Sequence, residues 1–92
     1  MHSQESRAQT YQAIRLHLTN VVHATETSRA ETQLRLAERK MGEIESNLLM
    51  DPQVTEEQIY EAVAFKRDPL WRQAANRIQS FSTERYSFLA VA

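Results

Sequence analysis

Apolar residues recur with helical spacing through the first half of the chain. They follow a 3-4-3 spacing between residues 11 and 21 and a 4-3-4-3-4 spacing between residues 30 and 48. Such spacings place apolar side chains along one face of an α-helix. The two stripes consist of Tyr11, Ile14, Leu18 and Val21, with Val22 alongside, and of Ala30, Leu34, Ala37, Met41, Ile44 and Leu48. The pattern predicts an all-α fold that begins with amphipathic helix.

The two stripes are out of register by about one residue, and the stretch between them is polar. Two structures produce such an offset: one continuous helix over residues 8–50, or two helices separated by a break near Thr27. In the second structure Ser28 is the N-cap and Glu31 completes a capping box. Because Gly42 is the only glycine in this segment and proline is absent from it, we expect the continuous helix, about 65 Å long.

A proline sets the end of this long helix. Pro52 disfavours helical backbone at Asp51, so the helix is predicted to end near Met50. Thr55 then has the properties of an N-cap, and Gln58, three residues later, completes a capping box. These residues predict a turn followed at once by a second helix.

A second Asp-Pro pair, Asp68-Pro69, fits the cap and first position of a third helix. We therefore predict helices over residues 55–67 and 69–81, folded back on the long helix as a helical hairpin or bundle. Trp71, near the start of the third helix, is expected to be substantially buried. Residues 82–92 are predicted to form an apolar C-terminal tail. The whole chain, residues 1–92, is predicted to be a single helical domain.

Composition restricts the classes of function. A chain of 92 residues has room for one small core. It contains no cysteine, so disulfides and thiolate metal sites are excluded. The net charge of −1 gives no overall attraction to nucleic acid or to an anionic membrane. With no 18-residue apolar run and no signal-peptide core, we expect a protein that is cytoplasmic or part of an assembled particle.

The sequence contains no arrangement typical of catalysis. His17 and His23 are six residues apart, a spacing that points helical side chains about 120° away from each other, so they cannot share a metal ion. A single glycine cannot form a phosphate-binding loop, and no serine has the sequence context of a nucleophile. We therefore expect no enzyme activity, no catalytic residue, no metal and no cofactor.

Basic residues are mostly arginine, with nine Arg and two Lys. This bias is typical of coding sequences from GC-rich bacteria and their phages. Four basic residues surround Trp71 in the later helices and are candidates for contact with an anion or an acidic partner: Lys66, Arg67, Arg72 and Arg77. They support one hypothesis, a nucleic-acid-associated regulator, although the net charge of −1 disfavours nucleic acid as a partner.

The preferred hypothesis comes from the length of the predicted helices. Helices over residues 55–81 cover at most about 40 Å of a 65 Å helix, which leaves the first stripe and the apolar tail without a partner. Exposed apolar patches mark protein contacts. The sequence thus predicts a non-enzymatic helical interaction module that binds itself or another protein, as a self-assembling subunit, an adaptor or a protein inhibitor. The predicted interface consists of Tyr11, Ile14, Leu18, Val21, Val22, Phe88 and Leu89.

Overall fold

A computed structural model of the protein describes residues 4–91, with side chains over residues 7–83. It contains four α-helices: α1 (Gln4–Val22), α2 (Thr27–Met50), α3 (Glu56–Lys66) and α4 (Pro69–Val91). No strand occurs in this described part of the chain. The predicted all-α fold, with later helices folded back on the first segment, is confirmed.

Three long-range contacts establish how the helices run. Arg7, near the start of α1, pairs with Asp51, just after α2, so α1 and α2 form an antiparallel hairpin. Arg15 pairs with Asp68 between α3 and α4. Arg77 of α4 reaches the loop between α1 and α2. The chain from α3 through α4 therefore runs parallel to α1, as a third helix interrupted at the second Asp-Pro pair.

The expectation of a continuous helix over residues 8–50 is wrong, because residues 23–26 form a loop. The guanidinium of Arg77 stabilises this loop by donating to the carbonyl oxygen of Ala24 from Nε (3.1 Å) and Nη2 (2.7 Å). No described residue has a positive φ, so the loop requires no glycine. The proposed cap at Ser28 is also wrong: Glu26 is the N-cap residue of α2, and no side chain caps this terminus.

The core lies where the two apolar stripes meet. Ile14, Leu18 and Val21 of α1 are fully buried, and Tyr11 is 8% exposed. Their partners include the buried stripe of α2 and buried residues of α3 and α4. These partners are Ala30, Ala37, Met41, Ile44, Leu48, Ala62, Phe65 and Ala74. The break near Thr27 thus folds the first stripe into the chain's own core.

The ends of α2 and α3 follow the sequence prediction. Asp51 has extended backbone, as a residue before proline should, and α2 ends at Met50. At the start of α3, the Gln58 amide donates to Oγ1 of Thr55 (3.2 Å), and the Thr55 amide donates to Oε1 of Gln58 (3.1 Å). The predicted capping box is therefore present.

The last helix is longer than expected. A helix over residues 69–81 followed by an apolar tail is wrong, because α4 continues to Val91. Residues 82–91 contain neither glycine nor proline, so nothing in the local sequence ends the helix. The side chains of Phe88 and Leu89, two predicted interface residues, lie outside the described side chains.

Candidate protein-interaction surface

An apolar groove of about 350 Å³ lies between the C-terminal end of α2 and one face of α3. Leu48 and Ala62, each 6% exposed, lie at its base. Its sides include large apolar residues that remain in water: Leu49 is 88% exposed, Ile59 46% and Val63 41%. A groove of this composition is the typical receptor for an apolar helix face.

A surface ion pair is part of the lining of the groove. Nζ of Lys66, at the end of α3, donates to Oε2 of Glu45 in α2 over 3.2 Å. Both side chains are about half exposed, so the pair contributes at most about 1 kcal/mol to stability. Its main effect is to connect the end of α3 to α2 and to give the apolar groove a polar edge.

Three residues of α1 contact α3 and its flanking turns on the side of α3 that faces away from the groove. Arg7, Tyr11 and Arg15 are spaced four residues apart, so they lie along the same side of α1. The Tyr11 ring contacts Phe65 of α3, with 4.6 Å between ring centroids. The Arg15 guanidinium lies 5.0 Å from the centroid of the same Phe65 ring. Because α1 binds this side of α3, the side facing the groove is left to solvent.

The two Asp-Pro turns that flank α3 use the same hydrogen-bond pattern. At each turn, Oδ1 of the aspartate accepts the backbone N–H two residues ahead: Gln53 to Asp51 over 2.8 Å, and Leu70 to Asp68 over 2.9 Å. At each turn, Oδ2 accepts an arginine of α1: Arg7 over 2.9 Å and Arg15 over 3.1 Å. Both ends of α3 are thereby tied to α1.

These contacts change the acidity of two groups beside α3. The backbone N–H of Gln53, and then the Arg7 guanidinium, lower the pKa of Asp51. Burial, and then the nearby negative charge of Glu61, raise the pKa of the Tyr11 phenol. Asp51 is thus held as the carboxylate and Tyr11 as the neutral phenol, the forms that make the contacts described above.

The predicted interface on α1 is not a free surface. Tyr11, Ile14, Leu18 and Val21 are buried in the chain's own core, and Val22 is half-buried against it. The prediction depended on a continuous helix that the later helices could not cover. With the chain broken at residues 23–26, α2 and α4 both pack on α1, and the geometric reason for an intermolecular contact there disappears.

The groove was missed because, with the second and third helices folded back on the long helix, only the first stripe and the apolar tail were expected to lack a partner. Ile59 and Val63 line the groove together with Leu48, and they are 46% and 41% exposed. One local signal was available. Leu49 and Met50 are adjacent apolar residues outside the buried stripe of α2, and both are more than 80% exposed.

The predicted basic cluster is only partly assembled. Lys66, Arg67 and Arg72 line one shallow depression together with Trp71 and Asp68. Arg77 does not belong to it, since its guanidinium is bound to the Ala24 carbonyl and lies 4.3 Å from the centroid of the Phe81 ring. Lys66 is paired with Glu45.

Trp71 is partly buried. It packs against the core, with its ring edge-on to Phe65 at 6.3 Å between centroids. Its Nε1 is shielded from solvent and has no hydrogen-bond partner among the described residues. The Trp71 ring of α4 therefore lies at the junction between α3 and α4.

Within the described residues, no group of three or more His, Asp or Glu side chains is placed to hold a metal ion. The helices there also include none that is both long and apolar enough to cross a membrane. No protein-family model, curated protein or solved structure matches the chain.

Proposed function

We propose that the protein is a small, non-enzymatic helical interaction module that associates with a second copy of itself through the groove between α2 and α3. The observation that carries the proposal is the exposure of Leu49, Ile59 and Val63 beside the buried Leu48 and Ala62. Such an interface suits a self-assembling subunit.

Association would remove the exposed apolar side chains of the groove from water. Burying one large aliphatic side chain contributes about 1.5–3 kcal/mol, and the groove has three that are 41–88% exposed. Contiguous apolar patches of this kind mark interaction sites more often than scattered single residues do. The apolar character of the groove also favours a protein surface over a nucleic acid, which is bound mainly through phosphate contacts.

A matched pair of variants tests the proposal. Leu49→Glu places a carboxylate in the groove, whereas Leu16→Glu places one on an exposed leucine of α1 that does not line the groove (61% exposed). Light scattering of the wild type over a concentration series should give masses above the 10.7 kDa of a single chain. Leu49→Glu should give the single-chain mass, and Leu16→Glu should behave as the wild type. A wild type that has the single-chain mass at every concentration overturns the proposal.

A second candidate function rests on the depression lined by Lys66, Arg67 and Arg72 beside Trp71. Two exposed arginines near an aromatic ring suit a phosphate or a nucleic-acid backbone. Asp68 in the same depression and the Glu45 partner of Lys66 oppose an anion there. Binding to random-sequence duplex DNA that weakens steeply with added salt would favour this candidate.

A further inference from the structure

The groove and the end of α4 lie at opposite ends of an elongated molecule. Arg77 is level with the loop between α1 and α2, because its guanidinium binds the Ala24 carbonyl. From there α4 continues for 14 residues to Val91, about 21 Å at 1.5 Å per residue. The longest dimension of the molecule is 59 Å, well beyond the roughly 36 Å of the 24-residue helix α2. The last turns of α4 therefore run past the point where α1 ends and α2 begins.

Two facts of sequence and placement suit this end of α4 to an apolar site. Residues 86–92 contain no charged side chain and include Tyr86, Phe88, Leu89 and Val91. The groove is near the other end of α2, about 33 Å from the loop if measured from Thr27 to Leu49. The end of α4 thus cannot reach the groove of its own chain, whereas the groove of another copy has no such restriction.

We infer that the groove between α2 and α3 receives the last turns of α4 from a second copy, so that the chains associate head to tail. The inference rests on the proposed function and names the segment that the groove binds. The match is one of polarity and length. The uncharged end of α4, the six residues 86–91, is about 9 Å long, which is shorter than the 11-residue helix α3 that forms one wall of the groove.

A head-to-tail contact uses two different surfaces, so each chain keeps one of them free after binding. Such an interface produces a closed ring if the rotation between copies closes, and an open filament if it does not. A symmetric contact of groove against groove would instead stop at a dimer. The two arrangements therefore differ in what happens when a single surface is removed.

The test mixes two variants, each with one damaged surface. Leu49→Glu damages the groove and keeps the end of α4, and Leu89→Glu damages the end of α4 and keeps the groove. Each alone should have the single-chain mass in sedimentation velocity. An equimolar mixture should form a 1:1 dimer and nothing larger, because only one intact groove and one intact α4 end can meet. Val63→Glu and Phe88→Glu provide an independent pair, and circular dichroism verifies that each variant is folded.

The outcomes separate the inference from the proposed function. If Leu89→Glu and Phe88→Glu both associate as the wild type does, while Leu49→Glu does not, the groove binds another surface and the inference is wrong, although the proposed function stands. If the wild type itself has the single-chain mass, both fail. If the mixture of two single-chain variants does not form the dimer, head-to-tail association is refuted.

Discussion

Removing the Arg77 side chain should destabilise the whole fold, although Arg77 is only part-buried. In Arg77→Ala, the carbonyl of the buried Ala24 loses two charge-assisted hydrogen bonds, of 2.7 and 3.1 Å. The guanidinium also leaves the Phe81 ring, from whose centroid it is 4.3 Å away. The substitution itself hardly changes helix propensity, because Ala and Arg are both good helix formers.

The magnitude follows from these contacts. Hydrogen bonds to a charged donor contribute about 1.5–3 kcal/mol, and a partly exposed cation–π contact about 0.5–1 kcal/mol. Since Arg77 is only part-buried, we expect Arg77→Ala to lower the free energy of unfolding by about 2–3 kcal/mol. For a domain of this size that corresponds to a fall in Tm of about 10–20 °C.

Thermal and urea denaturation followed by circular dichroism at the helical band measures the loss. Arg77→Lys keeps the charge but lacks the planar fork, so it should lose about half as much. Arg72→Ala, an exposed arginine on the same helix, is the control and should remain within about 0.5 kcal/mol of the wild type. An Arg77→Ala protein as stable as the Arg72→Ala control would refute the view that this contact holds the loop.

Other substitutions test other parts of the fold. Thr55→Ala should cost about 1 kcal/mol in urea denaturation through loss of the capping box, and an unchanged midpoint would contradict the role of this cap. Because the folded pKa of Asp51 is lowered, its contribution is complete above the unfolded pKa and is lost as pH falls through the folded value. Asp51→Asn should therefore be less stable than the wild type at pH 7, with the difference shrinking below about pH 4. Ile14→Glu should abolish cooperative unfolding by burying a carboxylate in the core, and a folded variant would show that the site is accessible to water.

The sequence predicts helices best where local chemistry decides. The end of α2 at Asp51 and the capping box of Thr55 and Gln58 depend on residues within four positions of each other, and both are found as expected. The cap at Asp68 belongs to the same class. In each of these places the residues that determine the structure lie within one short segment, so no tertiary information is required.

The break between α1 and α2 could not be predicted in this way. The group that satisfies the Ala24 carbonyl is Arg77, 53 residues away, and no glycine or proline marks the loop. Missing that contact had a direct consequence for the site. A continuous helix leaves Tyr11, Ile14, Leu18 and Val21 in water, whereas the broken one buries them.

The groove was hidden for a different reason. An apolar stripe on a short helix predicts which side chains lie together, but not which of two neighbours will cover them. On α3, Ala62 and Phe65 face the core, while Ile59 and Val63 lie beside them on the groove side. The contacts of Arg7, Tyr11 and Arg15 with α3 and its flanking turns determine which side of α3 faces the core. These three contacts join residues that are 44 to 54 positions apart in the sequence.

The stability of α3 also determines how long the groove persists between opening events. Helices shorter than about 12–15 residues are marginal by themselves, and α3 has 11 residues, of which only Ala62 and Phe65 are buried. It should therefore open as one unit, at a free-energy cost below that of global unfolding. Its backbone amides should exchange with deuterium earlier than those around Ile14 and Ile44. Each opening removes one wall of the groove, so an occupant that bridges α2 and α3 should slow exchange throughout α3, including at amides it never touches.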